Sequence, residues 1–407
     1  MESSIRPVYL RRSRLRGMWG RLLLVLGIVA HLAFALRPAW DKVTSAPSAR
    51  DFASYYYAVQ VAADGGDPYD TDALDAAARR DRTRKGVHPY FYPPPFLLTM
   101  TWALPLSLSA AYLGMLLLNE ALLAGVIVLA IRSFGVAPWA AGLLLATYSP
   151  IPDNAWMGQA NLLALFPMML GLALAKDRPI AGGALVGLAG MIKMSPALFL
   201  IYWVIQGRWC PAIVAALTAV ALSLVTLPLV DLDAQLRFFT EVLPGFPKGD
   251  YHGLSVPITL PANHSIPDIL NAVWPGPSRH RLSGTAQTVG TVLTLGMLAL
   301  WAFRFRGPAA RDPDPAAVAA LTVLMVITPV YTYEHHLVFL LPAVGVALTH
   351  RRSVAVWLAA AMLACPLDWV RAAQEALPWA SSVIKEGKFV AELVIFVACL
   401  RGVRRGG

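Results

Sequence analysis

Asp51, in the run Arg50-Asp51-Phe52-Ala53-Ser54-Tyr55-Tyr56-Tyr57, closely follows the first apolar stretch of the chain. A carboxylate there can take the proton of an attacking hydroxyl, and Asp is also a favoured helix N-cap. On residue type alone the two roles stand level, and they are compatible. Lys193, in Ile192-Lys193-Met194-Ser195-Pro196, interrupts strongly apolar sequence. An ammonium at membrane depth costs about 2.5–3.5 kcal/mol on insertion scales. Pro196 breaks the helix beside it, so a route back to water is awkward. A fixed cation stabilises a bound phosphate and the charge on a phosphate leaving group, and that is the chemistry Lys193 suggests.

Two further clusters accompany them. Gly158-Gln159-Ala160-Asn161 opens one apolar segment, and Tyr331-Thr332-Tyr333-Glu334-His335-His336 opens another. Adjacent residues on an α-helix point about 100° apart, so one of His335 and His336 is expected to face a shared cavity and bind a phosphate or hydroxyl. A metal pair on one helix would use i and i+4 spacing instead. Interfacial histidines are an equally weighted reading. Gln159 and Asn161 can line the same cavity or hold neighbouring helices together by hydrogen bonds. Gly66-Asp67-Pro68-Tyr69-Asp70 reads as a turn, with Asp67 and Asp70 as less favoured cation ligands. Tyr92-Pro93-Pro94-Pro95 reads as a rigid entry into a short helix.

The elements that must position these groups are membrane helices. The 407 residues are 57% hydrophobic and 14% charged, against about a quarter charged in soluble domains. The net charge of +10 sits in flanks and turns, which argues for an orientation signal rather than nucleic acid. Arg6 to Arg21 precede the first apolar segment, 22–36, which reads as an uncleaved anchor; Arg401, Arg404 and Arg405 follow the last. Both ends are expected in the cytoplasm. Basic turns at Arg132, Lys176–Arg178, Arg208, Arg304–Arg311 and His350–Arg352 delimit further spans near 109–131, 136–152, 158–175, 209–230, 285–303, 315–331, 335–349, 353–370 and 388–400. With the first span these make ten crossings. Segments 95–106 and 179–206 fit no single span and are expected as broken or re-entrant helices bordering a cavity. The expectation is a single all-α membrane bundle of about 10–13 helices, counting short segments and outer-face juxtamembrane helices.

The outer face then receives the first loop (37–94) and a large loop (231–284), the latter expected to cover an acceptor. In the first loop Phe52, Tyr55, Tyr56 and Val59 share helical spacing and are expected as a membrane-facing stripe. Cys210, Cys365 and Cys399 have neither paired nor metal-ligand spacing. No Gly-x-x-x-x-Gly-Lys-Ser/Thr loop is present to hold a soluble nucleotide. An activated donor can instead arrive through the bilayer as a lipid-linked phosphosugar.

Taken in order, Asp51-Phe-x-x-Tyr55, Gly-Asp-Pro-Tyr-Asp, Tyr-Pro-Pro-Pro-Phe, Gly-Gln-x-Asn, Ile-Lys-x-x-Pro and the late His-His resemble glycosyltransferase family 87 from about residue 20 to 400. The resemblance implies the GT-C fold and an inverting, one-step transfer of mannose or another hexose from a polyprenyl-phosphate donor, since the family includes polyprenyl-phosphate-mannose-dependent α-(1→2)-mannosyltransferases. It implies Asp51 as catalytic base, Lys193 with His335 or His336 on the phosphate, and Tyr55, Tyr92, Gln159 and Asn161 lining the cavity. It further implies a lipid or glycan acceptor, no metal or other cofactor, and action at the outer face of the inner (plasma) membrane. Rival readings are a flippase or transporter of lipid-linked saccharides, an O-antigen ligase or polymerase, and a noncatalytic scaffold. A transporter would usually carry internal repeats and has no requirement for Asp51.

Overall fold

The computed structural model describes residues 5–37, 40–41, 50–81, 87–251, 253–254, 256–307, 313–351 and 353–402. Arg82 and Arg84 of the first loop, His252, Arg311, Arg352, Arg404 and Arg405 lie outside them. Every long element among the described residues is helical, as lipid requires of a chain that must satisfy its backbone internally.

Helix α1 (Ile5–Ala30) begins within the basic leader and continues through a π-turn, His31–Ala35. Two short helices of the first loop follow, α2 (Arg50–Ala63) and α3 (Thr71–Arg80), the second capped by Asp70. Pro93 then feeds a 3₁₀ segment, Pro94–Ala103, that leads to α4 (Leu108–Arg132). Next come α5 (Pro138–Thr147), α6 (Pro150–Met157), α7 (Asn161–Leu174) and α8 (Pro179–Ile192). A 3₁₀ turn, Ser195–Leu198, connects to α9 (Phe199–Ile205) and α10 (Trp209–Thr226). The large loop carries α11 (Leu232–Arg237) and α12 (Ile266–Val273). The remainder is α13 (Gly284–Phe305), α14 (Pro315–Ile327), a 3₁₀ segment Glu334–Leu340, α15 (Leu341–His350), α16 (Val354–Ala364), α17 (Leu367–Ala376) and α18 (Gly387–Leu400).

Four helical stretches are long and apolar enough to cross a bilayer: Gly17–Ala35, α4, α10 and α13. The bent pairs α6–α7 and α16–α17, turning by 119° and 98°, raise the number to six among the described residues. Of the ten expected crossings, 22–36, 109–131, 209–230 and 285–303 thus correspond to single helices of spanning length, and the others are built from bent or shorter apolar helices. Proline is one physical reason: Pro150, Pro342 and Pro366 stand inside expected spans where one helical piece gives way to the next.

The turns expected to be cytoplasmic do gather at one end. Arg208 donates to the carbonyl of Ala175 and Arg351 to that of Gly402; the Ala137 amide donates to Thr349, and the Asp314 amide to the Tyr202 hydroxyl. Segment 179–206 consequently leaves this end as α8, breaks at Lys193 and returns as α9. Elsewhere, α1 and α5 meet through Gly27 and Gly142. A Cβ on Gly27 would lie 2.1 Å from the Gly142 carbonyl oxygen, so neither position admits a side chain.

The aromatic first loop faces protein, not lipid. Phe52, Tyr55, Tyr56 and Val59 are each at most 3% exposed, which overturns the membrane-facing stripe. Phe52 stacks on Tyr112 at 5.4 Å, and Tyr55 meets Phe96 edge-on at 4.9 Å. Helical spacing shows that these side chains share a face; it does not say whether lipid or protein covers that face.

Candidate active site

Asp51 is not the N-cap of its helix. It lies in the first turn of α2, behind Arg50, and its Oδ2 accepts a 2.8 Å hydrogen bond from Nε2 of Gln159. Gln159 sits at the corner between α6 and α7, where Gly158 takes a left-handed conformation (φ 64°) to turn the chain. Its Oε1 lies 3.0 Å from the Tyr55 hydroxyl and 3.4 Å from that of Tyr92, and those two hydroxyls are 2.7 Å apart. Its carbonyl accepts from Asn119 Nδ2 at 3.1 Å. Burial pushes the Tyr55 and Tyr92 phenols well above the usual tyrosine range, and the charge of Asp51 adds to it. Both therefore stay protonated as donors, which orients the Gln159 amide with its NH₂ toward Asp51.

Two residues beyond Gln159, the same corner holds the cation. Lys193 Nζ donates to Asn161 Oδ1, and Asn161 Nδ2 donates to the His335 carbonyl at 2.8 Å. Lys193 is extended at the C-terminal end of α8, the break that Pro196 was expected to create. Its ammonium also lies 5.5 Å from the Tyr92 ring centre, in cation–π range.

His335 and His336 belong to a 3₁₀ segment rather than an α-helix, and both border the cavity, with ring centres 4.3 Å apart. Only one had been expected to do so. Their roles differ: His336 Nδ1 accepts from the Tyr333 amide at 3.0 Å and so helps start the turn. The Tyr333 hydroxyl is buried with no hydrogen-bond partner among the described residues.

These groups surround a cavity of about 1100 Å³. Asp51, Tyr92, Gln159, Lys193, His335 and His336 line it directly; Tyr55 and Asn161 support them from behind. Phe246, Tyr251, Leu254, Val256 and Leu260 bring the large loop onto its wall. The Gly-Asp-Pro-Tyr-Asp motif is a turn, in which Asp67 accepts from the Tyr69 amide and pairs with Arg237. No group of three or more His, Cys, Asp or Glu side chains able to hold a metal ion occurs among the described residues.

Sequence reasoning assigned no role to Glu334. Its carboxylate is nearly buried and receives both His264 Nε2, at 2.9 Å from the large loop, and Lys388 Nζ from α18. Burial works to raise the Glu334 carboxyl, but the His264 bond and the Lys388 ammonium outweigh it and hold it below the usual carboxylate range. Burial pushes the His264 imidazole down. Lys388 and Glu392, one turn apart on α18, are both buried; charged residues inside a terminal apolar helix were the available signal. Asn119, in the middle of α4, was another.

The chain thus combines apolar helices of membrane-crossing length with one cavity where a carboxylate and a cation meet at a single corner. No curated protein and no solved structure matches it. The model of glycosyltransferase family 87 matches residues 90–332, more than half of the sequence, and the chain belongs to that family of membrane glycosyltransferases.

Proposed function

We propose that the protein transfers a hexose from a polyprenyl-monophosphate donor to a lipid or glycan hydroxyl, with inversion at the anomeric carbon. The observation that carries this reading is the Gln159–Asn161 corner. One side chain holds the Asp51 carboxylate and the other holds the Lys193 ammonium, two residues apart. In the proposed step, the acceptor oxygen bonds to the anomeric carbon as the bond from that carbon to the phosphate oxygen breaks. The acceptor proton goes to Asp51. The departing phosphate carries away the bonding pair, and its charge is met by Lys193, His335, His336 and the Tyr333 hydroxyl. The chemistry needs no metal when a fixed ammonium supplies the positive charge.

An apolar flank of the cavity supports a lipid donor. Ala286, Gly290 and Thr294 recur once per turn along α13 and, with Met325 and Val326 of α14, form a largely apolar track along the cavity wall. The other faces of α13 are exposed and apolar at Val292, Leu295 and Phe303. The Arg-bearing turns lie at the end of the bundle away from the cavity. By the positive-inside rule the termini then face the cytoplasm, and the site opens on the outer side of the inner (plasma) membrane.

The test is transfer by purified protein in lipid nanodiscs, offered a panel of polyprenyl-phosphate hexoses with membrane lipid extract as acceptor. Mass spectrometry should find a product one hexose heavier with wild type and none with Asp51→Asn. Equal transfer by both would remove Asp51 from the chemistry. Movement of the lipid-linked sugar across the bilayer, without transfer, would favour a flippase.

A further inference from the structure

The cavity extends past the Asp51–Lys193 corner into a lobe with different chemistry from the α13 track. On one side, α6 presents Asp153 and Trp156, one helical turn apart, and Met157 beside them. On the other, the first two turns of α17 present Asp368 and Arg371, whose charged groups are 3.7 Å apart. The two helices start from a shared anchor: Ser149 Oγ, just before α6, donates to the Cys365 carbonyl, just before α17, at 3.2 Å. The electrostatic neighbours of Asp153 include Glu334, Lys388 and Asp368. Trp156 is 46% exposed although its helix is otherwise well packed.

Nothing in the transfer step described above uses these four side chains. An indole on a cavity wall offers an apolar surface for the C–H side of a sugar ring. Carboxyl oxygens accept from the many hydroxyl donors of a saccharide, while Arg offers fixed donors to ring and hydroxyl oxygens. A polyprenyl chain, by contrast, gains nothing from two acids and an arginine. Outside the mouth, Trp369, Trp379 and Val383 are each more than 70% exposed on α17 and the short helices after it. Aromatic residues of that kind mark the headgroup level of a bilayer, the depth at which the sugar of a glycolipid lies.

We propose that the lobe between α6 and α17 is the acceptor subsite and that it takes a saccharide, with the ring on Trp156 and its hydroxyls on Asp153, Asp368 and Arg371. The proposal rests on the transferase reading above and names the acceptor class and its contacts. Donor and acceptor then enter from opposite flanks of the Glu334–Leu340 segment and meet at Asp51. The acceptor hydroxyl comes from the α6 side and the lipid phosphate from the α13 side.

The test uses the full chain in nanodiscs and an octyl hexoside carrying a diazirine on its sugar. Photolysis followed by peptide mass spectrometry should place adducts in 150–158 and 366–371, and Trp156→Ala should reduce them about tenfold, the loss expected for one aromatic contact. Trp156→Phe should restore part of the labelling. In transfer assays, Trp156→Ala and Asp153→Asn should raise the acceptor concentration for half-maximal rate and leave that of the donor unchanged. Adducts on 282–294, no adducts, or a shift in donor half-saturation instead would each overturn the assignment. Labelling of the α6–α17 lobe by a protein that transfers no hexose would keep the saccharide site and remove the transferase reading.

Discussion

Gln159 Nε2 lies 2.8 Å from Asp51 Oδ2, bridging two elements separated by 108 residues. This one amide aims the carboxylate, because its other end is held by the hydroxyls of Tyr55 and Tyr92 and cannot turn away. A general base must be within hydrogen-bond reach of the proton it takes, so a fixed carboxylate matters as much as an ionised one.

Asp51→Asn should fold normally, since an amide of the same shape can still pair with Gln159. Its transfer rate should fall by about 10²–10⁴, the usual contribution of a positioned acid or base. Steady-state kinetics beside thermal unfolding in detergent check this. A loss of stability equal to the loss of rate would assign Asp51 a structural role.

Gln159→Leu should affect both stability and rate. It leaves the buried hydroxyls of Tyr55 and Tyr92 without their shared acceptor, a cost of about 1–3 kcal/mol for a buried unsatisfied group. Adding Tyr55→Phe to the Gln159→Leu variant should then recover part of the melting temperature without recovering activity. Full recovery of activity would show that aiming Asp51 is not what Gln159 does.

Lys193→Met should lower the transfer rate by about 10²–10³, as loss of one preorganised stabilising group does elsewhere. The protein should remain folded, because the change removes a buried charge and Asn161 keeps its bond to the His335 carbonyl. The measurement is single-turnover transfer at saturating donor. An unchanged rate with weaker donor binding would limit Lys193 to ground-state binding.

Acid should destabilise the protein in two steps. His264 is held neutral below its ordinary value, so the unfolded chain gains a proton first as pH falls through the usual histidine value of about 6.5. Glu334 is held ionised below the carboxylate range, so its stabilisation is present above about pH 4.3 and is lost as pH falls further. Melting temperature against pH should fall in both windows. His264→Gln should flatten the upper one, and an unchanged profile would refute the coupling.

Gly158→Ala should be among the most damaging single-methyl changes. The φ of 64° disfavours any L side chain, and the added Cβ would meet Phe52 Cβ at 2.7 Å and Tyr112 at 3.0 Å. The backbone term alone is roughly 1–2 kcal/mol. Because Phe52 follows Asp51, reduced activity at temperatures where the variant stays folded is expected, read from transfer rate and unfolding on the same preparation.

Hydropathy and charge placement determined the class of this protein and which of its turns group together, because water, lipid and basic residues act on each segment where it stands. The breaks at Pro94 and Lys193 were legible for the same reason, since proline and an intramembrane charge act locally, whereas the one at Pro150 fell inside an expected span. The polar groups that mark the cavity could be named from the sequence since apolar surroundings make each one costly. Their partners could not. That Gln159 holds Asp51, that Asn161 holds Lys193, and that Glu334 joins the large loop to α18 are contacts across 108, 32 and, to Lys388, 54 residues. Nor could periodicity reveal that Phe52 and Tyr55 turn inward, since a protein core and a lipid tail are equally apolar. Only the packed bundle, with its bent helices and its 3₁₀ turn at Glu334, decides which apolar face meets which and which polar group is left facing the cavity.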